Sequence, residues 1–425
     1  MDIVKEYISL GYALPNFSKL LSGGMVRTSA ETEVELLEPW IQWASVHTGK
    51  SFDEHKIFRL GDITQNKQRQ VFEEIESRGY KVGCLSPMNS RNELENPAFF
   101  IPDPWTLTHS DNSFASRLLA SAMKQLVNDN AQAKLTFGSV WKLCLALLLI
   151  VPIRDLLTLS RTLKSSVTQP WRKAIFFDTL LHVVFENLVK RTQPDFAVLF
   201  LNAGAHIQHH YMHSSKVLSN LTGCRNPEWY VPKGFDPLAE LLMAYDGIVG
   251  QLTNRVDYEY VIATGLTQKI YSEPEFYYRL KDHAEFLNLL DITYSSVTPR
   301  MSRDFLVSFI DNQDRNRAAK QLLQVTIDGI AIFQNIEIRD FQIFATLEHP
   351  KEILPTAEVL TGSGCRYFAL NHLVIVAIKN GGHDSEGFLF KSDSLPNYGY
   401  LSDKDHVKNI FYYLQDLFPS ATSAQ

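Results

Sequence analysis

The chain has 425 residues, of which 45% are hydrophobic and 21% charged, and its formal net charge is −6. That length suits one large domain or two of ordinary size, and the composition is that of a soluble globular protein. An acidic balance gives no support to wholesale nucleic-acid binding, so no nucleic-acid partner is expected.

The opening, MDIVKEYISLGYALPNF, has no basic region ahead of an apolar core and does not read as a signal peptide. Residues 3–22 read as helical, with Leu14–Pro15–Asn16 opening a second turn or short helix. From Glu31 to Thr48 apolar residues recur at mixed spacing, and Gly49 is placed as a helix C′ residue. Gln70–Arg78 is an amphipathic helix closed by Gly79, followed by a strand over Tyr80–Leu85. Such helix–Gly–strand punctuation is what an α/β domain produces. Phe99–Trp105 (FFIPDPW) is too rich in proline for a regular element.

Residues 113–128, 137–164 and 170–191 form a long helical block without strand signals. Its most apolar stretch, Val140–Ile153, is interrupted by Lys142 and followed by Arg154, too short to cross a bilayer. No stable membrane insertion is expected. A strand over Phe196–Asn202 resumes the α/β pattern. A helix over Asp236–Arg255 and a strand over Tyr258–Ala263 follow, and Tyr277–Leu290 leads into Ile292–Val297. Phe305–Phe309, the helix Arg315–Leu323 and the strand-like Gln342–Leu347 make a smaller unit. Asn371–Ile378 is a late strand and Lys404–Leu417 a final amphipathic helix, ahead of a tail expected to be disordered. Neither GxGxxG after a strand nor GxxxxGK[ST] occurs, which disfavours the two common phosphate-loop folds. Cys84, Cys144, Cys224 and Cys365 lack metal-type spacing and read as reduced, mostly buried thiols in a cytoplasmic protein.

Five segments divide this pattern. Residues 1–112 open an α/β core, 113–191 are a helical insertion, and 192–270 continue the core. Residues 271–355 are a smaller cap, and 356–425 return to the core with the last histidine loop and the C-terminal helix.

Candidate chemistry gathers at four places. FAVLFLNAGAHIQHHYMH (196–213) is a strand running into His206, His209, His210 and His213, with no carboxylate among residues 196–215. On a helix, His206–His209 or His209–His213 can share one metal ion. NGGHDSEG (380–387) sets His383 after a glycine pair that lets the backbone turn tightly, with Asp384 and Glu386 as orienting or merely solvating neighbours. EPWIQW (38–43) places Glu38 and Gln42 among Trp40 and Trp43, where buried polar groups need partners. IATGLTQ (262–268) ends a strand with Thr264, Thr267 and Gln268, which offer hydroxyls and an amide.

The order of these segments resembles the alkaline-phosphatase-like superfamily, in particular its type I phosphodiesterase/nucleotide pyrophosphatase branch. The resemblance is carried by ALPNFSKLLSGG, WASVHTGKSFDEHKI, VFEEIESRGYKVGCLSPMN, FLNAGAHIQHHY, VIATGLTQ and NGGHDSEGFLF, and it runs over most of the chain. It implies an α/β fold with a central, mostly parallel sheet, flanking helices and a helical insertion. Enzymes of that kind hold two divalent ions, usually zinc, between carboxylates and histidines, and a Thr or Ser attacks phosphorus. Laid on this chain, the resemblance puts the nucleophile position at Pro39. The aspartate of D-x-x-x-H becomes Ala205, and the Asp–His pair of "SDHG" falls on Gly265–Leu266. The first strand and its aspartate precede the start of the sequence. His209 and His383 keep ligand positions.

The expectation is therefore a rebuilt site for one divalent metal, zinc or manganese, with His209, His383 and His206 as ligands. Glu38 is the candidate catalytic group, and Gln42, Trp43, Thr264 and Gln268 the candidate substrate-binding groups. The expected function is a divergent metal-dependent hydrolase or transferase acting on a phosphate-, phosphonate- or sulfate-type ester, with a small anionic substrate and a homo-oligomer among its partners. The alternative is a non-catalytic binding or scaffold member that uses the degenerate cleft or the helical surface.

Overall fold

A computed structural model describes residues 1–131, 137–300, 303–397, 399 and 401–420. The architecture is α/β with mixed parallel and antiparallel pairing and flanking helices. Val82–Leu85 lies at the centre of a three-stranded parallel sheet, between Phe99–Ile101 and Phe196–Leu199. All four of its residues are buried, as a parallel strand covered on both faces requires. FFIPDPW thus contributes a strand after all: its first three residues pair before Pro102 removes a donor.

A second sheet has four strands in the order Asp405–His406, Val26–Ser29, Glu386–Lys391 and Val261–Ala263. Its inner pairings are antiparallel, and only the short Asp405–His406 runs parallel to its neighbour. The longest pairing is an antiparallel ladder between Thr267–Leu280 and Leu373–Asp384, with register shifts at Ile375/Ala377 and Lys379/Gly381. Beyond it, Ser296–Pro299, Asp304–Ser308, Gln342–Thr346 and Ile336–Arg339 form an antiparallel sheet over a core that includes Phe286, Phe305, Leu322, Phe333 and Ile343.

Most predicted helices fall in place with trimmed ends. Residues 3–22 separate into Asp2–Ser9 and Pro15–Ser22, with Pro15 at the first turn where its missing N–H costs nothing. The Glu31–Thr48 stretch is helical only over Pro39–Thr48, and Gly49 closes it at φ +68°. Val71–Ser77 is capped by Gln70, whose backbone N–H donates to Glu73. The helical block consists of Phe114–Ala131, Phe137–Ile150, Ile153–Ser166 and Arg172–Thr192. The stretch 137–164, read as one helix, is two, because Pro152 cannot donate to the preceding turn. The segment expected over Tyr277–Leu290 is the end of the long strand followed by the helix His283–Leu289. Of the cysteines only Cys84 is buried, Cys144 and Cys365 being exposed, and all four are free thiols. The expected disordered tail lies, beyond Ser420, outside the described residues.

The parallel sheet is held closely enough to be tested by one methyl group. A Cβ at Gly83 would lie 2.6 Å from Phe99 Cζ, and the Phe99 ring is itself buried against its neighbours. Gly83→Ala is expected to destabilise the protein by about 1–3 kcal/mol through overpacking. Its urea midpoint should fall relative to wild type, and the double variant Gly83→Ala/Phe99→Leu should recover part of the loss.

Candidate functional site

The histidine segment is a helix, Ala203–Tyr211, whose first turn is held from outside by another helix. The Asp178 carboxylate accepts from the Ala203 N–H at 2.7 Å and the Asn202 N–H at 3.2 Å. Tyr245 Oη donates to Asp178 at 2.6 Å and accepts from the Gly204 N–H at 2.9 Å. Burial raises the Asp178 carboxyl to about 6 against the pull of these donors. Nothing in FFDTLL singles out Asp178 as the anchor of a helix that begins 25 residues later, because only the fold brings the two together.

The helix packs on the strand Leu373–Asp384, and that strand orients its histidines. His209 Nδ1 donates to the Gly381 carbonyl at 3.1 Å, and His210 Nδ1 to the Ile378 carbonyl at 3.1 Å. A carbonyl only accepts, so Nδ1 carries the proton in each ring and Nε2 of neutral His209 is a bare lone pair. That lone pair faces His383 Nε2 at 3.0 Å. On the other side of His383, Nδ1 lies 3.6 Å from Glu38 Oε2, and the Leu37 backbone hydrogen-bonds the ring. Glu38 caps the N-terminus of the helix Pro39–Thr48 with extended backbone and no side-chain cap bond, which leaves its carboxylate turned towards His383.

The glycine pair acts differently from the tight turn that NGGH suggests. The strand continues through it to Asp384, with a register shift between Lys379 and Gly381. A Cβ at Gly381 would lie 2.6 Å from the Lys269 carbonyl oxygen, and one at Gly382 would lie 2.8 Å from Tyr271 Oη. Both glycines are there for close approach between strands.

The remaining candidates divide. Gln268 is the ladder partner of His383. Its Nε2 donates to the Ala205 carbonyl at 3.1 Å, and its Oε1 is buried without a partner. Trp43 covers Gly265, whose Cβ would lie 3.4 Å from the indole, and packs edge-on against Phe200. Gln42 is fully buried and committed to backbone: Nε2 donates to the Leu36 carbonyl, and Oε1 accepts from the Glu31 N–H. Thr264 Oγ1 accepts from the Phe388 N–H and so ties two strands together. His206 lies tilted against His210, with ring centroids 4.9 Å apart and planes at 58°, while His209 is the histidine that meets His383. His213 is buried beyond the helix, where its backbone N–H donates to Asn380 Oδ1 and Asn380 exchanges amide hydrogen bonds with Asn226.

The structure thus brings Glu38, His383, His209 and Gln268 together. Lys379, which no motif points to, adds a positive charge felt by Glu38, His209 and His383. Burial is the largest influence on each ionisable group here. It lowers His209 to about 3 and His383 to about 4, and it raises the Glu38 carboxyl above its usual range. Among the described residues no group of three His, Cys, Asp or Glu side chains surrounds one point. Two facing histidine nitrogens with no carboxylate between them do not suit a two-ion centre built on carboxylates.

These histidines are neutral in the folded protein at pH 7, whereas in the unfolded chain they take up protons near pH 6.5. Below that pH the unfolded state binds more protons, so stability falls as pH drops from about 6.5 towards 4. The slope contributed by each histidine held neutral is roughly 1 kcal/mol per pH unit. Urea midpoints measured at pH 7, 5.5 and 4.5 should decline. In His209→Gln the decline should be shallower.

No protein-family profile matches this chain, and no curated protein matches it. Solved structures that resemble it include those of phosphonoacetate hydrolase from Sinorhizobium meliloti 1021 in complex with phosphonoformate and with phosphonoacetate. Each is 13% identical, with a TM-score of 0.41, over 97% of this chain and 91% of that one. Likeness at that level assigns neither fold nor chemistry.

Proposed function

We propose that this chain is a divergent alkaline-phosphatase-like protein, a metal-dependent hydrolase or transferase with a single divalent ion, zinc or manganese, at His209 and His383. Its substrate would be a small phosphate-, phosphonate- or sulfate-type ester, and its compartment the cytoplasm. The observation that carries this reading is the pair of Nε2 atoms 3.0 Å apart. Two nitrogens on one zinc ion, each about 2.0–2.1 Å from it, stand about 3.3 Å apart in tetrahedral geometry, close to that spacing. The outer nitrogen of His209 is held by the Gly381 carbonyl and that of His383 faces the Glu38 carboxylate at 3.6 Å, an arrangement that turns Nε2 of each ring towards the other.

In this reading Gln268 Oε1, buried without a partner beside His383, is a third donor. A bound ion would supply Lewis acidity towards an ester oxygen. Lys379 draws an anion to the cleft by charge. Glu38, held above its usual range by burial, is suited to exchange a proton with the His383 ring or with water.

One observation favours the non-catalytic alternative. Pro39 opens the helix beside Glu38, so the position that the family resemblance gives to the nucleophile has no hydroxyl.

Metal analysis of protein purified without chelator, followed by titration with Zn²⁺ and Mn²⁺, tests the site. Up to one ion per chain is expected, with binding lost in His209→Ala and His383→Ala and weakened about tenfold or more in Gln268→Ala. Binding should also release a proton near neutral pH, detectable in weakly buffered solution. An absence of metal uptake would sink the proposal. Metal uptake without metal-stimulated cleavage of aryl phosphate, phosphonate or sulfate esters would leave the non-catalytic reading in its place.

A further inference from the structure

The helical block carries a surface that the histidine cleft does not use. Phe137–Ile150 (FGSVWKLCLALLLI) is apolar nearly all round, which is the pattern of a helix buried on every side. Yet it packs on one side only. Ala146 and Ile150 are buried in a core with Leu159, Leu180 and Val184, while Trp141 is 60% exposed and Leu148 63% exposed. Trp141 and Leu148, seven residues apart, share one helix face. Past the Pro152 corner the next helix also exposes apolar side chains, Ile153 being 74% and Leu157 60% exposed. Single exposed aliphatic residues are ordinary, but a tryptophan and several long aliphatic chains on consecutive turns form a patch.

Charge says what covers it. Residues 113–173 contain nine lysines and arginines, two aspartates and no glutamate, in a chain whose formal charge is −6. Arg154 is next to Ile153 in the chain, and its side chain is 88% exposed. A second copy of this chain set against the same face would bring like charges together. An anionic surface would meet both features at once. The helix has 14 residues and is about 21 Å long, shorter than the ~30 Å hydrocarbon core. No helix among the described residues is long and apolar enough to cross a membrane.

We propose that Trp141, Leu148, Ile153 and Leu157 dock this protein on the surface of an anionic lipid bilayer, with the two helices lying in the plane of the interface. The aliphatic chains enter the boundary between headgroups and acyl chains, the indole lies at headgroup depth, and the basic residues meet lipid phosphates. This attachment is independent of the histidine cleft and of any metal in it.

Cosedimentation of the full chain with phosphatidylcholine vesicles, with and without phosphatidylglycerol, tests the proposal. Pelleting is expected with the anionic vesicles and should weaken at high salt. The triple variant Leu148→Glu/Ile153→Glu/Leu157→Glu should lose binding by about tenfold or more while keeping its circular dichroism spectrum, since all three positions are exposed. Wild-type protein gives an independent readout: brominated lipid should quench a share of the tryptophan emission that Trp141→Phe removes. Failure to pellet with anionic vesicles overturns the proposal, as does undiminished binding by a folded triple variant. A dimer that the triple variant dissociates would also overturn it, assigning the face to a second copy.

Discussion

The antiparallel ladder between Thr267–Leu280 and Leu373–Asp384 is the constraint on which the candidate site depends. It sets His383 opposite Gln268, and its carbonyls at Ile378 and Gly381 are the acceptors that orient His210 and His209. It also places Asn380 so that its side-chain oxygen meets the chain after the histidine helix. The register shift between Lys379 and Gly381 matters because the side-chain period of a strand is two. Lys379 pairs with Glu275 but Gly381 with Ile270, so the partner strand carries three extra residues there, and unbroken pairing would set His383 opposite Tyr271 instead of Gln268. The glycines permit the contact that fixes this register: a side chain at 381 would meet the Lys269 carbonyl and one at 382 the Tyr271 hydroxyl.

Much of the fold is legible in the chain as punctuation. Gly49 closes the helix Pro39–Thr48, Pro15 opens another, and the apolar run at 196–199 is a strand before the histidines. These signals are local, and local stereochemistry decides them. The strand Phe99–Ile101 escapes such reading because its pairing with Val82–Leu85 is a tertiary fact that outweighs the prolines following it. The glycine pair at 381–382 escapes it for a related reason. A turn and a close strand contact both call for glycine, and the sequence contains nothing that separates them.

The candidate site was legible in part. The histidines at 209 and 383 stand out by residue type and position, and their contact follows from the fold. The roles of Gln42 and Thr264 were not legible, because a buried amide or hydroxyl serves backbone as readily as ligand, and here each has backbone partners. Nor was the distance of His206 from His383. On the helix His206 is three residues from His209 and four from His210, both neighbouring positions, and the rotation of the helix against the ladder decides which of its histidines face the strand. Lys379 and Asp178 belong to the same class, important through position alone.

A half-buried pair of facing imidazoles poses a protonation problem whose solution bears on function. With Nδ1–H of His209 given to Gly381 and the His383 proton on Nδ1, 3.6 Å from the Glu38 carboxylate, two lone pairs point at each other across 3.0 Å. That state repels itself unless a cation lies between the rings. If His383 instead carries its proton on Nε2, the contact becomes a hydrogen bond to His209, but a bare Nδ1 then faces the Glu38 carboxylate. Protonated Glu38 relieves that second conflict, and burial raises its pKa in the direction required. In that hydrogen-bonded state His383 Nε2 and Glu38 each hold a proton and no free pair of Nε2 atoms is left for an ion, so it and the metal-bound state of the proposal would exclude each other. On the proposed metal reading, an ion held by the two Nε2 atoms would leave His383 protonated on Nδ1 and Glu38 ionised, with one proton released to solvent, and the carboxylate would then be free to act as a base. Linkage of this kind gives Glu38 a reason to stand beside His383 rather than among the ligands, where its charge would bind the ion but leave no base.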